Sequence, residues 1–243
     1  MNAKELIRRF LFEEGAGGGQ AAGTMEIDST PLAEAREFAD ELFRKYQGKS
    51  LDEAIPNFDK NYLRVQVLAS LGKTRRRDMP VITPGQVKDL QRRLKEGYVD
   101  VREPFAPGTS PADPFPEGLS GEEAEFFLEN GLRDGSKPDD VVSVSNLSER
   151  ASNLKPIQRQ IYFDKSITST AKNGVEATKK FLQGSYMVAS EDGFIIDGHH
   201  RWLSANLIDP SMTMRGIKID LPMNELLPLA RAYGDALGNA RNM

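Results

Sequence analysis

The chain has 243 residues, 39% of them hydrophobic and 28% charged, and a net charge of −4. That is room for one large domain or a small domain with an appendage, and with no cysteine there are no disulfides, thiolate nucleophiles or cysteine metal sites. No apolar run approaches the ~20 residues that cross a membrane, and neither half is basic enough for a broad nucleic-acid surface. Residues 1–139 carry 20 basic against 25 acidic side chains (−5) and residues 140–243 carry 12 against 11 (+1). A cytoplasmic protein is expected.

In chain order, residues 1–14 (MNAKELIRRFLFEE) read as a short amphipathic helix lacking the apolar core and cleavage site of a secretory signal. Residues 15–23 (GAGGGQAAG) read as a flexible linker. Thr30-Pro31 opens a helix to about Gln47, with Leu32, Ala35, Phe38, Leu42 and Phe43 on one face, and Ser50 starts a short helix to Ala54. Residues 62–67 (YLRVQV) alternate polar and apolar, the pattern of a half-buried strand. The following Gly72-Lys73-Thr74 is not a phosphate loop, because the position of its first glycine holds Val67. Lys73, Arg75, Arg76 and Arg77 form a small basic cluster, read either as a phosphate contact or, given so few charges, as a solvated loop.

Thr83-Pro84 begins a further helix, closed by Gly97, with Val87, Leu90 and Leu94 as its apolar stripe. Five prolines between Pro104 and Pro116 read as a stiff linker. The expected division is therefore a mostly helical N-terminal region, 1–118, with its Gly-rich (15–23) and Pro-rich (104–116) linkers, followed by a domain at 119–243. Within that domain Ser120 and Glu123 have capping-box spacing ahead of a helix stopped by Gly131. Residues 141–144 read as a strand, 157–163 as a strand or extended segment, and 167–183 as helical in their second half. Residues 186–189 and 194–197 form a hairpin about a Ser-Glu-Asp-Gly turn. A helix then runs to Asp209-Pro210, residues 214–221 alternate as a strand, and a closing helix spans 223–237, kinked or restarted at Pro228. The class is α/β (α+β), with a small mixed sheet flanked by helices.

Chemistry concentrates at Asp197-Gly198-His199-His200-Arg201, where an apolar strand ends in a glycine turn and a helix begins. Unpaired N–H groups and the helix dipole make such a junction an anion site, and this one holds both histidines of the chain. Gly198 lets the backbone approach a phosphate, and Arg201 supplies a charged fork. His200 is a second donor, and His199 a general acid or base able to titrate near neutrality. Asp197 is a helix cap, an orienting partner for His199, or a ligand for a Mg²⁺ carried in with a nucleotide. Adjacent histidines diverge on a helix, so no protein-built zinc site is expected.

The order helix, hairpin, Asp-Gly-His-His-Arg, helix, strand resembles the ParB/sulfiredoxin superfamily. Its phosphate-binding box reads Gly-Glu-Arg-Arg in ParB proteins and Gly-Cys-His-Arg in sulfiredoxins; Gly198-His199-His200-Arg201 occupies that box here. The Asp-Gly-His-His-Arg variant is similar to one in members that phosphorylate free serine and in phage and bacterial ParB-like nucleases. Residues 155–162 (KPIQRQIY) resemble the Pro-x-Gln region that opens phage ParB-like domains, which makes Gln160 and Lys165 candidate phosphate contacts. The resemblance covers about 140–222. It implies a nucleotide-binding domain that hydrolyses or transfers a phosphoryl group of ATP or a related nucleotide, with Mg²⁺. The alternatives are a ParB-like nuclease acting on DNA, with His199 as base or acid, and a non-enzymatic binding or assembly module or homo-oligomer; if phage-encoded, the protein is expected in the host cytoplasm or virion. The box departs from the family in ways that matter. His199 stands where sulfiredoxins carry their attacking cysteine, which removes that chemistry, and too little basic chain follows the box for a ParB DNA-reading helix-turn-helix.

Overall fold

The computed structural model describes residues 25–105, 118–133, 135 and 140–241. The helix expected at 1–14, the glycine linker at 15–23 and all but the first two residues of 104–116 lie outside the described residues.

The first described helix, α1, runs Leu32–Gln47 behind Pro31 and ends at Gly48 in the left-handed conformation. Helix α2 (Leu51–Ala54) is short and opens on a capping box: Ser50 N–H donates to the Glu53 carboxylate at 2.7 Å, and Glu53 N–H returns to Ser50 Oγ at 3.3 Å. Helix α3 (Phe58–Ala69) corrects the strand expected at 62–67. Phe58, Tyr62, Val65 and Ala69 are buried at helical spacing, while Leu63 and Val67 face outward. A six-residue window is too short to separate a period of 2 from one of 3.6. Helix α4 (Pro84–Glu96) has the expected bounds, with Thr83 N–H donating to Gln86 Oε1 at 2.8 Å and Gly97 closing it. Helix α5 (Gly121–Glu129) follows Ser120, whose side chain makes no cap hydrogen bond, against the expected capping box.

The strands form one mixed five-stranded sheet in the order β1-β5-β3-β4-β2. Their ranges are β1 Val144–Arg150, β2 Lys155–Pro156, β3 Tyr186–Ser190, β4 Phe194–Asp197 and β5 Thr213–Ile219. The β3–β4 hairpin is antiparallel as read from the sequence, and β3 lies parallel to β5 at the sheet centre. Only Val144 of the strand expected at 141–144 belongs to β1. Residues 157–162 make isolated bridges instead of a strand, with Gln158 opposite Thr74 and Tyr162 opposite Glu26. The helix expected within 167–183 is two: α6 (Phe163–Asn173) and α7 (Val175–Gly184), parted at Gly174. Helix α8 (His199–Ile208) carries the histidine box, and α9 (Met223–Ala236) continues through Pro228 without a break.

Alternation along the strands sorts the core into two layers. Leu147, Met187, Ala189, Ile195 and Met214 face a cluster built with α1, α3, α6 and α8. Val144, Val188, Ile196, Ile217 and Ile219 face another built with α4, α5 and α9. Residues on both sides of position 118 contribute to each cluster, so the expected boundary there does not separate two cores. Phe163 at the start of α6 takes edge-on contacts from Phe58 and Tyr62 of α3, with ring centroids 6.0 and 5.3 Å away. Asn61 Nδ2 of α3 donates to the Leu207 carbonyl at the end of α8 at 3.0 Å, and Trp202 Nε1 donates to the Ala151 carbonyl at 2.9 Å. These contacts fix the rotation and height of α8 against its neighbours. No described helix is long and apolar enough to cross a membrane.

Candidate phosphate-binding turn

Strand β4 delivers Asp197 to the sheet end, and Gly198 turns the chain with φ +110° before α8 begins. A side chain is strained at that φ, and a Cβ on residue 198 would lie 3.0 Å from Met187 Cγ. The N-cap of α8 is Gly198, which has no side chain to satisfy the first-turn N–H groups, and such groups can hold an anion. One helical turn on, Arg201 Nη2 donates to Asp197 Oδ2 at 2.6 Å, with the arginine side chain 10% and the aspartate 28% exposed. Asp197 thus pairs with the arginine of the box; the three sequence-based roles considered for it, helix cap, partner of His199 and Mg²⁺ ligand, did not include this one.

The two histidines diverge as their spacing requires, and both are occupied. His199 is buried, and its Nε2 accepts the backbone N–H groups of Ile157 and Gln158, each at 3.2 Å. Burial, then the charges of Arg201 and Arg76, push its pKa from 6.5 down to about 3. His200 Nε2 accepts Tyr162 N–H at 3.3 Å, and burial followed by the charges of Lys165, Arg76, His199 and Arg201 holds it well below 6.5. An accepting Nε2 places the proton of each neutral ring on Nδ1. The expectation that His199 titrates near neutrality is therefore corrected: a ring that must stay neutral to hold two backbone donors is a structural acceptor. The Nε2 of His200 is likewise committed to the main chain.

The sequence reading did not foresee that the basic cluster after α3 comes to this site. Thr74 N–H donates to the Ile157 carbonyl at 2.9 Å, and Arg159 N–H donates back to Thr74 at 2.8 Å. The approach requires glycine at 72, because a Cβ there would lie 2.3 Å from the Gln158 carbonyl oxygen. Gln160, expected to contact phosphate, instead accepts Arg76 N–H on its Oε1 at 2.7 Å and so clamps the loop. The Arg76 guanidinium lies over the Tyr162 ring, 5.5 Å from its centroid, and that ring stacks on His200 at 6.0 Å. The charges of Arg76, Lys165 and Arg201 each lower the His200 pKa, and Arg76 reaches that ring through Tyr162. Nothing in residues 73–77 alone signals this, since the pairing partners lie more than 80 positions away.

Among the described residues no group of three or more His, Cys, Asp or Glu side chains is placed to hold a metal ion. With Asp197 Oδ2 committed to Arg201, the turn does not fit a protein-held Mg²⁺; an ion arriving here would be held by the phosphates of its own nucleotide and by water. No family model, curated protein or solved structure matches the chain.

Proposed function

We propose that the Gly198 turn binds the phosphates of a nucleotide, in the manner implied by its resemblance to the ParB/sulfiredoxin superfamily. The observation that carries this reading is the glycine start of α8, with Arg201 in its first turn and the Arg76 guanidinium over the Tyr162 ring that stacks on His200. Main-chain donors at a helix start and guanidinium forks match a polyphosphate in charge and shape. Phosphoryl hydrolysis or transfer, the activity the resemblance implies, would rest on positioning and charge neutralisation by these groups. A base to activate water or an acceptor would have to come from a side chain other than the two histidines, whose Nε2 lone pairs already accept backbone N–H groups. The same constraint weighs against the nuclease reading, which assigned proton transfer to His199. A binding module that uses nucleotide occupancy as its signal is the second reading, favoured by the engagement of both histidines with the backbone.

The test is thermal unfolding with ATP, CTP, GTP and ADP, with and without Mg²⁺, on the wild type, Arg76→Ala and Arg201→Lys. A ligand that binds only the folded chain raises Tm by mass action, by about 2.7 kcal/mol of stability at 100 times Kd. A shift in the wild type that shrinks in both variants supports the site. No shift with any nucleotide sinks it. Product formation at saturating nucleotide then separates an enzyme from a binding module.

A further inference from the structure

Of the large hydrophobic residues the structure leaves exposed, three lie on one stripe. Leu63, Val67 and Leu71 are 51%, 68% and 61% exposed, spaced i, i+4, i+8 along α3 and the turn that ends it. Single exposed apolar side chains need no explanation, whereas a contiguous row of three on one helix face marks a contact surface. The opposite face of α3 is already committed, since Phe58, Tyr62, Val65 and Ala69 pack into the core.

We propose that the N-terminal segment of this same chain covers the stripe. Residues 4–12 (KELIRRFLF) place Leu6, Ile7, Phe10 and Leu11 at i, i+1, i+4 and i+5, an apolar stripe of the same period and similar length. The segment is tethered beside its target. Met25 belongs to the core cluster that takes the inner face of α3, and Phe163 N–H donates to its carbonyl at 2.7 Å. Five residues on, the Thr30 carbonyl accepts both Tyr62 Oη at 2.6 Å and Gln66 Nε2 at 2.7 Å, each one position from a residue of the stripe. The intervening residues 13–24 reach about 40 Å at full extension and have a root-mean-square span of roughly 20 Å as a glycine-rich coil. A helix on a tether of that length faces its partner at millimolar effective concentration.

The natural absence of cysteine makes the test clean. In the full chain, Val67→Cys is combined in turn with Leu6→Cys, Phe10→Cys and Leu11→Cys, and oxidised at low protein concentration. Lys45→Cys, exposed at the end of α1, replaces Val67→Cys in the control. The expected result is an intramolecular disulfide in at least one Val67 pair, forming about tenfold faster than in the control. Disulfide-linked dimers instead would show that a second copy covers the stripe, and free thiols or rates equal to the control would show that the segment does not dock; either overturns the proposal. Stability gives an independent readout. Val67→Lys and removal of residues 1–12 are each expected to lower Tm by about 2–4 °C, and the two together by no more than either alone. Additive shifts, or none, also overturn it.

Discussion

The Nε2 of His199 accepts the backbone N–H of Gln158 at 3.2 Å, joining α8 to a segment 41 positions earlier in the chain. The ring is there as a lone pair, and that role sets what its replacement does. His199→Ala leaves two buried amide donors without an acceptor, each an omission that costs about 1–3 kcal/mol. Urea unfolding is expected to show a loss of roughly 2 kcal/mol or more, with His199→Gln, which still presents an acceptor, losing less. Equal losses in the two variants would mean that ring packing, not hydrogen bonding, holds the segment.

Acidification tests the same ring. The folded pKa of His199 is about 3 against 6.5 for the free group, and that of His200 is also lowered well below 6.5. Between those values the unfolded chain binds protons that the folded chain refuses. Stability from this source is therefore complete above about pH 6.5 and is lost as pH falls toward 3, by about 1.4 kcal/mol per pH unit for His199, with His200 adding in the same direction. The cations that face the rings, Arg76, Lys165 and Arg201, act in the same direction. Urea melts from pH 7 to 4 are expected to lose part of this slope in His199→Gln; an unchanged slope removes His199 from the account.

Gly198→Ala introduces a Cβ at φ +110°, 3.0 Å from Met187 Cγ and 3.2 Å from Arg201 Nη2. Strain of this kind costs about 1–3 kcal/mol, and a loss of that size in denaturant unfolding is expected. The same change narrows the space above the turn, so nucleotide-induced stabilisation is expected to fall as well. A variant of wild-type stability would show that the turn relaxes without cost.

A protease site engineered between residues 106 and 117 tests the division of the chain. Since both core clusters draw on residues either side of that segment, the nicked halves are expected to co-elute and unfold together in one transition. Residues 119–243 expressed alone, stripped of Phe58 and Tyr62 from the face of Phe163, are expected to unfold without cooperativity. An independently folded fragment would restore the boundary expected from the prolines.

What the sequence made legible was local. The β3–β4 hairpin, the Thr83-Pro84 start and Gly97 stop of α4, and the junction at Gly198 are set by turn glycines, helix caps and short apolar runs that act over a few residues. Residues 62–67 misled because Leu63 and Val67 are apolar and exposed, which imitates strand alternation on a helix. The histidines were legible as an unusual pair but not as acceptors, since the amides of Ile157, Gln158 and Tyr162 reach them only through tertiary packing. Arg76 was discounted for the same reason: its place beside Tyr162 depends on the approach of Gly72 to the Gln158 carbonyl, a contact with no trace in the local pattern.

The chain contains a single tryptophan, and it is Trp202, fully buried on α8 directly after Arg201 with its indole N–H held by the Ala151 carbonyl. The Gly198 turn thus carries its own optical reporter. Emission from a dry, hydrogen-bonded indole at this position lies to the blue of the solvated fluorophore, and any event that rotates or loosens α8 moves it. Nucleotide titrations, acid titrations and unfolding can be followed at one defined locus without attaching a label.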